Sequence, residues 1–353
     1  MNRDKRISAF AQLGEFLSQF KRKGFENKNL VTNEKYFVEF ETQINRAIHY
    51  NGWFTKDNIL FALEEWSGLL TTENLNKWMS AYSKEIESPK TIGLIMAGNI
   101  PLVGFHDFLT VLMSGHSVIA KLSSNDKQFF PLIGSFLKDV EPEFEEKIKF
   151  TNDRLEGFDA VVATGSNNTA RYFNHYFKGY PSIIRQNRNS VAVLTGNETV
   201  EELEALGEDI FRYFGLGCRS VSKLFVPRGY DFDNVFKAIF SFKDFINHAK
   251  YANNYDYNKA VYLMSEFKLV ENGFFMLKEE SSYGSPIATM FYEYYDDAEM
   301  LKNRLVFDDD KIQCVVGNNN WIEGEVKFGE SQHPSLWEYA DGVDTMEFLL
   351  NLS

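Results

Sequence analysis

Cysteine is scarce in this sequence: Cys218 and Cys314 are the only two among 353 residues, and they form no Cys-x-x-Cys pair. Two isolated thiols exclude a disulfide framework and a thiolate zinc site, and they suggest a reducing compartment. The six histidines are scattered, which argues against a multi-histidine metal site. We therefore expect a cytoplasmic protein without a bound metal ion.

Positive charge is also in deficit, because 37 basic side chains face 50 acidic ones and the formal net charge is −13. Such a chain offers no net positive field to gather polyanions, so nucleic acid is not an expected partner. No stretch approaches the roughly 18 to 20 uncharged apolar residues that cross a bilayer. The charged N-terminus lacks the apolar core of a secretory signal. We expect neither a membrane span nor a signal peptide.

Apolar residues are plentiful, at 44% of the sequence with 33 Phe and 17 Tyr, and the length suggests two domains. In the first ninety or so residues, apolar positions recur every three or four residues, which predicts helices. From Thr91 onwards, short apolar runs alternate with helix-period segments, the pattern of buried parallel strands joined by helical crossovers. The predicted fold class is therefore α/β with a helical N-terminal region.

Individual elements follow from the same periodicity. Predicted strands are Thr91–Ala97, Ser117–Lys121, Asp159–Ala163, Ser182–Arg185, Ser190–Leu194, Val221–Val226, Ile287–Tyr292 and Lys311–Val316. Predicted helices after Thr91 are Pro101–Ser114, Asn125–Leu137, Asn168–Phe177 and Val200–Phe214. Thr55 and Thr72 suit N-caps, Gly24 suits a helix end, Pro101 suits a first helical turn and Gly115 suits the position after a helix. The pattern places a domain border near Arg188.

Familiar catalytic and nucleotide-binding signatures are missing: GxGxxG after a strand, GxxxxGK[ST], GxSxG and HExxH all fail to occur. The candidates that remain are turns between a strand and a helix. In open parallel sheets such turns gather at the carboxyl ends of the strands, where ligands bind.

The turn Met96–Leu102 contains Asn99, whose side-chain amide suits stabilisation of an oxyanion, while a helix cap is an equally good interpretation. Lys121 ends the next predicted strand and suits a cofactor hydroxyl or phosphate, with a solvated surface charge as the alternative. Within the helix that follows the first turn, His106 is expected to be packed rather than catalytic.

A third turn contains Thr164, Gly165 and Ser166 and leads into a helix whose amide groups favour a pyrophosphate, although capping by Ser166 alone also explains it. Cys218 is flanked by Gly217 and Arg219, which would leave the sulfur accessible and favour the thiolate. The alternative is a small buried hydrophobic residue. Cys314 lies in a β-like run and is expected in the core.

In this order and at this spacing, these segments resemble the aldehyde dehydrogenase superfamily, specifically its acyl-CoA reductase branch, which includes the fatty-acid reductase of bacterial bioluminescence. The resemblance extends from Thr91 to the C-terminus. It implies two Rossmann-like lobes with parallel sheets, an oxyanion donor at Asn99 and a nucleophile at Cys218. Cofactor-binding residues implied by the resemblance are Lys121, Ser124, Thr164, Gly165 and Ser166.

The chain departs from the family pattern in informative ways. Where hydrolytic relatives carry a glutamate that activates water, Ile184–Ser190 contains no carboxylate, so the acyl-enzyme should survive until it is reduced. Between Lys121 and Ser124 there is no acidic residue of the kind that binds a ribose 2′-hydroxyl in relatives that prefer NAD, and this favours NADPH as the cofactor. Asp126 lies close enough to play that role, so NADH stays possible as the cofactor. Tyr283–Pro286 resembles the family's Phe-Gly-Pro turn, and Glu280 then replaces the glutamate at the nicotinamide ribose, with surface charge as its alternative.

The predicted organisation is a helical region plus cofactor-binding lobe over 1–188, a catalytic lobe over 189–328 and a C-terminal tail over 329–353. The predicted activity is reduction of a fatty acyl-CoA thioester to the aldehyde through an acyl-cysteine, with hydride from NADPH. Two alternatives stay open: a dehydrogenase of a semialdehyde or small aldehyde in the same superfamily, and a non-catalytic partner subunit of a fatty-acid reductase complex. Oligomerisation, or association with acyl-transferring subunits, also stays open.

Overall fold

The computed structural model describes residues 1–352 and divides the chain into two compact units. The first unit comprises Met1–Gln186 together with the chain from Ser335 onwards, and the second unit comprises Asn187–Pro334. Within the described residues, none of the helices combines the length and the apolar character that a bilayer span requires.

The N-terminal region of the first unit is helical, as predicted. Its elements are α1 (Arg3–Leu17), the short hairpin β1 (Phe20–Lys21) and β2 (Gly24–Phe25), α2 (Asn33–Tyr50), α3 (Lys56–Leu69) and α4 (Thr72–Ser80). Thr55 caps α3 by accepting the Asn58 N–H at 3.3 Å, as expected. Two details differ: Thr71 rather than Thr72 caps α4, and Gly24 lies in the hairpin rather than at a helix end.

A five-stranded parallel sheet follows in the first unit. Its elements are β3 (Thr91–Ile95), α5 (Phe105–Ser114), β4 (Ser117–Lys121), α6 (Phe129–Val140), β5 (Ile148–Thr151), β6 (Ala160–Thr164), α7 (Asn167–Tyr176) and β7 (Ser182–Arg185). The strand order is β5-β4-β3-β6-β7, and every pairing is parallel. The central strands read as continuous apolar runs because both faces are covered. Gly115 ends α5 with φ of +101°, as predicted.

The second unit contains a six-stranded sheet. Its elements are β8 (Asn189–Val193), α8 (Val200–Phe211), β9 (Val221–Pro227), α9 (Phe232–Ala238), α10 (Ala249–Met264), β10 (Leu269–Glu271), β11 (Met276–Glu279), β12 (Thr289–Tyr295), α11 (Ala298–Phe307) and β13 (Ile312–Val316). The order is β10-β11-β12-β9-β8-β13, and only the edge strand β10 pairs antiparallel. Both units are thus α/β with parallel sheets, which confirms the predicted fold class.

The chain from Ser335 onwards packs into the core of the first unit and ends in α12 (Thr345–Leu350). Leu336 and Leu349 are fully buried there. The Trp78 indole N–H donates to the Tyr339 hydroxyl at 2.7 Å, and a ring nitrogen of His116 lies 3.0 Å from the Leu349 carbonyl. The sequence analysis treats this segment as a C-terminal tail. In the structure it packs against residues that lie more than two hundred positions earlier and forms part of the same core.

Candidate functional site

Three of the sequence-predicted turns meet at one edge of the first sheet. They follow β3, β4 and β6, which are neighbours in the sheet, and Ile95 at the end of β3 pairs with both Lys121 and Ala163. Because all these strands are parallel, their carboxyl ends share that edge. The structure therefore brings together the predicted cofactor-binding residues of this unit, Lys121, Ser124, Thr164, Gly165 and Ser166, with Asn99.

The first turn is longer than the sequence predicts. The helix α5 begins at Phe105 with Gly104 at its N-cap, not at Pro101, so Asn99 does not cap it. Leu102 interrupts the helix because its φ is +57°, in the left-handed region. In this turn Asn99 is exposed to solvent. His106, in α5, is packed as expected: its ring lies 5.4 Å from that of Tyr339.

The loop after β4 is pressed against this turn. Lys121 is half-buried and Ser124 is exposed, whereas Asp126 is buried. The Asp126 carboxylate accepts the backbone N–H of Leu102 at 2.8 Å. Burial raises the pKa of Asp126 to about 7, and the Leu102 hydrogen bond only partly opposes the rise. Asp126, the acidic residue that kept NADH possible as the cofactor, is thus directed into the protein interior.

The third turn starts α7, and Ser166 is its N-cap. The Ser166 hydroxyl accepts the Thr169 N–H at 3.3 Å, so the capping interpretation is correct. A Cβ on Gly165 would lie 3.0 Å from the Thr169 side chain, which explains the glycine as a packing requirement of the helix start. These local roles are compatible with anion binding, because the first amides of a helix remain directed outwards.

The predicted nucleophile lies in the second unit, in a backbone segment of uncommon conformation. Three successive residues, Tyr213, Phe214 and Gly215, have φ of 57°, 58° and 75°. Bulky aromatic residues rarely occupy this left-handed region, and such strained conformations concentrate at functional sites. The chain then turns through Cys218, which is exposed, immediately before β9 begins.

Hydrogen bonds hold the backbone on both sides of Cys218. The Ser190 hydroxyl donates to the Cys218 carbonyl at 2.9 Å and lies 3.0 Å from the sulfur of Cys314, which is buried as predicted. The Arg219 side chain donates to the Ser331 carbonyl. Ser331 is in turn anchored by its N–H to the fully buried Asp209 carboxylate at 2.9 Å. The Cys218 backbone is therefore fixed while its side chain stays exposed.

Glu280 follows β11, and its carboxylate is engaged by nearby residues. It forms an ion pair with Lys278 at 2.7 Å and accepts the Ser281 N–H at 2.9 Å. The Lys278 hydrogen bond lowers the pKa of Glu280 to about 2, so the group is ionised at neutral pH. These contacts keep Glu280 in a fixed orientation, and its proposed contact with a nicotinamide ribose remains a prediction.

A buried lysine that the sequence analysis did not single out supports the same loop. The Lys223 ammonium donates to the carbonyls of Glu280 and Ser281 at 3.1 and 2.8 Å, and to the Glu293 carboxylate at 2.7 Å. Burial lowers the pKa of Lys223, and Glu293 opposes that change. The sequence signal for Lys223 is a lysine inside the apolar run Val221–Pro227, since buried lysines are rare unless they are paired.

The turn after Glu280 reaches the strands next to Cys218. The Ser222 hydroxyl donates to the Tyr283 carbonyl at 2.9 Å, and a Cβ on Gly284 would lie 2.8 Å from the Asn189 side chain. Asn189 and Ser222 stand at the starts of β8 and β9, as does Ser190, which holds Cys218. The structure thus brings the Tyr283–Gly284 turn to the Cys218 region, whereas the Glu280 carboxylate contacts Lys278.

Solved structures of known proteins resemble this chain in fold. Aldehyde dehydrogenase 21 from Physcomitrella patens, in complex with succinate, has a TM-score of 0.65 at 12% identity and covers 99% of this chain and 84% of its own. An aldehyde dehydrogenase from Bacillus cereus, in complex with NAD+, has a TM-score of 0.60 at 13% identity, with 93% and 76% covered. None of the curated proteins compared matches the chain.

The structural likeness establishes the aldehyde dehydrogenase fold, as the motifs around Asn99 and Cys218 predict. A sequence profile is more specific than the fold. The profile described as acyl-CoA reductase (LuxC) matches residues 9–240, about two thirds of the chain. The chain therefore belongs to the LuxC family of acyl-CoA reductases, and it has the fold of the aldehyde dehydrogenases.

Proposed function

We propose that this protein reduces a fatty acyl-CoA thioester to the aldehyde, with Cys218 as the nucleophile that carries the acyl group. The observation that supports this most directly is the contrast at Cys218: an exposed thiol on a backbone held by Ser190 and preceded by left-handed Tyr213 and Phe214. The thiolate is the reactive form of cysteine, and solvent exposure lets it meet a substrate.

The carboxyl edge of the first sheet fits a nicotinamide dinucleotide. Exposed polar side chains at Asn99, Ser124 and Ser166 stand on three neighbouring turns, and Ser166 opens a helix. Such an edge with a helix N-terminus is where dinucleotides bind in parallel sheets. Aldehyde dehydrogenases of the same fold have been solved with NAD+. Lys121, Ser124 and Thr164–Ser166 would hold the cofactor, which supplies a hydride when bound.

Burial of Asp126 favours NADPH over NADH. A carboxylate at the end of the strand that faces the adenosine ribose would bind the 2′-hydroxyl of NADH and repel the 2′-phosphate of NADPH. In the loop after β4, Asp126 is the one acidic side chain before α6, and its carboxylate is directed towards Leu102 inside the protein. Repulsion from this loop is therefore absent from the cofactor-facing surface, and Lys121 adds an attractive charge.

In the proposed reaction, the Cys218 thiolate attacks the thioester carbonyl. Asn99 and the Cys218 backbone amide donate hydrogen bonds to the developing oxyanion, and each such donor typically contributes about 3 kcal/mol to transition-state stabilisation. The tetrahedral species collapses with departure of the coenzyme A thiolate and leaves an acyl-cysteine. Addition of the hydride to the acyl carbon would give a thiohemiacetal oxyanion. Its carbon–sulfur bond then breaks, which forms the aldehyde carbonyl and returns Cys218 as the thiolate.

Hydrolysis of the acyl-cysteine is disfavoured by the segment Ile184–Ser190, which has no carboxylate to activate water. Its two charged members are arginines and are unsuited to that role. Arg185 is buried and paired with Asp107 while also donating to the Thr345 hydroxyl, and Arg188 donates to the carbonyls of Asp309 and Ile312. The acyl-enzyme therefore lacks a general base from this segment, which suits a reductase whose intermediate must await the hydride.

Aromatic side chains near the Cys218 loop support a fatty rather than a small acyl group. The Phe214 ring lies 4.9 Å from that of Phe245 and 4.5 Å from the His248 ring. Phe211 stacks on Phe242 at 4.7 Å. The segment carrying Phe242 and Phe245 is a 3-10 helix, and both rings remain partly exposed. A hydrocarbon chain carried by Cys218 would contact the partly exposed side chains of Phe242 and Phe245.

The test is acylation followed by intact mass. Purified protein is incubated with butanoyl-, octanoyl-, dodecanoyl- or hexadecanoyl-CoA, with and without NADPH or NADH. We expect a mass gain of one acyl group, greatest for the longer chains, absent in Cys218→Ser, retained in Cys314→Ser and discharged faster by NADPH. An adduct that persists in Cys218→Ser, or no adduct with any thioester, contradicts the proposal. Faster discharge by NADH contradicts the cofactor preference alone.

A further inference from the structure

The turn that contains Asn99 and the loop that contains Ser124 are in close contact at the edge of the first sheet. A Cβ built on Gly98 would lie 2.4 Å from the Ser123 hydroxyl, a distance that no side chain tolerates. Because Gly98 precedes Asn99 and Ser123 precedes Ser124, this contact joins the turn after β3 directly to the loop after β4.

A second contact between the same turns runs through the carboxylate of Asp126. One oxygen, Oδ2, accepts the Leu102 N–H at 2.8 Å, whereas Oδ1 is buried without a hydrogen-bond partner. Asp126 is only 3% exposed. A carboxylate with an unsatisfied oxygen is costly to bury, and groups buried at such cost concentrate where function requires them.

The hydrogen bond explains why the turn containing Asn99 keeps its shape. Leu102 has a left-handed φ of 57°, which a leucine adopts only when its surroundings hold it there. Without an acceptor for its N–H, the turn would relax towards a right-handed conformation. The sequence itself favours that outcome, since Pro101 suits the first turn of a longer helix. Asn99, three residues before Leu102, would then change its position.

We propose that Asp126 is a positioning residue that makes the Asn99 turn and the Lys121–Ser124 loop move as one body. Nucleotide binding at the loop after β4 would thereby set the direction of the oxyanion donor on the turn after β3. The inference rests on the proposed function, because it assigns to these two turns the oxyanion donor and the cofactor-binding residues. It adds a residue that touches neither substrate nor cofactor and acts through Leu102.

Hydrogen exchange tests the coupling without relying on catalysis. We compare the wild type with Asp126→Leu, which keeps the branching of the side chain but is larger and has no acceptor, and with Asp126→Asn, which keeps the size and an oxygen for Leu102. Exchange in residues 96–104 should be faster in Asp126→Leu and restored by Asp126→Asn. Saturating NADPH should slow exchange there in the wild type and in Asp126→Asn but not in Asp126→Leu. Equal exchange in all three proteins overturns the proposal.

Kinetics of Cys218 acylation by hexadecanoyl-CoA provide the second readout. Misplacing a catalytic group by about 1 Å costs on the order of 100-fold, so Asp126→Leu should acylate about 10- to 100-fold more slowly, with weakened NADPH binding. Asp126→Asn should recover both. Gly98→Ala, which separates the turns at their other contact, should reproduce the defect if Asp126→Leu fails to fold. Leu63→Ala, a buried change in α3, controls for lost stability and should leave both quantities unchanged.

The outcomes separate the two proposals. A wild-type protein that forms no acyl adduct refutes the proposed function, while the exchange of residues 96–104 still decides the role of Asp126. A wild type that acylates, with an Asp126→Leu protein that acylates and binds NADPH equally well, refutes the positioning role alone. Loss of NADPH affinity with an unchanged acylation rate also refutes it, because the two turns would then act separately.

Discussion

Cys218 and Cys314 share one hydroxyl group yet differ in what they can do. Ser190 Oγ donates to the Cys218 carbonyl and lies 3.0 Å from the Cys314 sulfur, so it joins an exposed loop to a buried strand. Cys314 is enclosed by the core of the second unit, where a thiol acts as a small hydrophobic residue. The role proposed for Cys218 therefore depends on the backbone that exposes its side chain, and not on the presence of a cysteine alone.

Asp126 should make the stability of the fold fall as pH rises towards neutrality. Its folded pKa is raised from the usual 3.8 to about 7, so the folded state binds the proton more tightly. This contribution is complete below about pH 4 and is lost as pH rises through 7; the shift of about 3 units corresponds to about 4 kcal/mol at most. Denaturant unfolding of the wild type and Asp126→Asn should show the difference between their stabilities changing across that range.

The Asp126→Asn protein is the reference for the wild type in this experiment, because asparagine does not titrate and every other ionisable group stays in place. Parallel stability curves for the two proteins between about pH 4 and pH 8 would contradict the raised pKa. They would also place the carboxylate in a more polar setting than the contact with Leu102 implies.

At the scale of single elements, the loop before Cys218 contains several residues in the left-handed backbone conformation, which costs free energy. Gly215, with φ of 75°, follows two aromatic residues in the same region, and a Cβ there would lie 3.3 Å from the Ile210 carbonyl. Gly215→Ala should lower the free energy of unfolding by about 1 to 2 kcal/mol, since alanine adopts left-handed φ at a cost. Cys218 acylation should slow as well, as measured by intact mass.

Gly68→Ala is the matched control for this prediction. Gly68 lies in α3 with ordinary φ, and a Cβ there meets nothing within 4 Å. Alanine favours helix, so this variant should unfold at the same or a slightly higher denaturant concentration. If both alanine variants unfold alike, the left-handed geometry of the loop before Cys218 does not carry the expected cost.

Elements with a strong local pattern are predictable from this sequence, and those set by distant contacts are not. The strand Ser117–Lys121 is predicted exactly because it is buried in a parallel sheet and bounded by Gly115 and polar residues. The start of α5 is wrong by four residues because Asp126, more than twenty residues away, holds Leu102 in a non-helical conformation. The edge strand β5 is not predicted, since its run Ile148–Thr151 is short and carries a lysine.

The same distinction applies to the site. Turns that follow parallel strands single out Asn99, Lys121 and Ser166 as candidates, because the sheet edge that gathers them follows from parallel topology. Ser190 and Lys223 were not found, because they act through backbone carbonyls of residues far along the chain, including Cys218 and Glu280. Hydrogen bonds to a backbone carbonyl leave no pattern in side-chain type.

At the scale of the whole molecule, the first unit is assembled from both ends of the sequence. Arg185 at the end of β7 joins Asp107 in α5 to Thr345 at the start of α12, and all three are buried. A buried ion pair is not by itself a source of stability, but removing one partner leaves a charge uncompensated. The sheet that carries the proposed cofactor site is therefore joined to α12 through Arg185.

This connection predicts a localised effect for Leu349→Ala. Leu349 is fully buried in α12, so its truncation should cost about 2 to 5 kcal/mol. If the units unfold separately, amide exchange should accelerate in β3, β4 and β6 and remain unchanged in β8 and β9. Val343→Ala, at an exposed position before the same helix, should leave both sheets protected. Equal acceleration in both sheets would show one cooperative molecule, in which the distal helix stabilises the Cys218 loop as well.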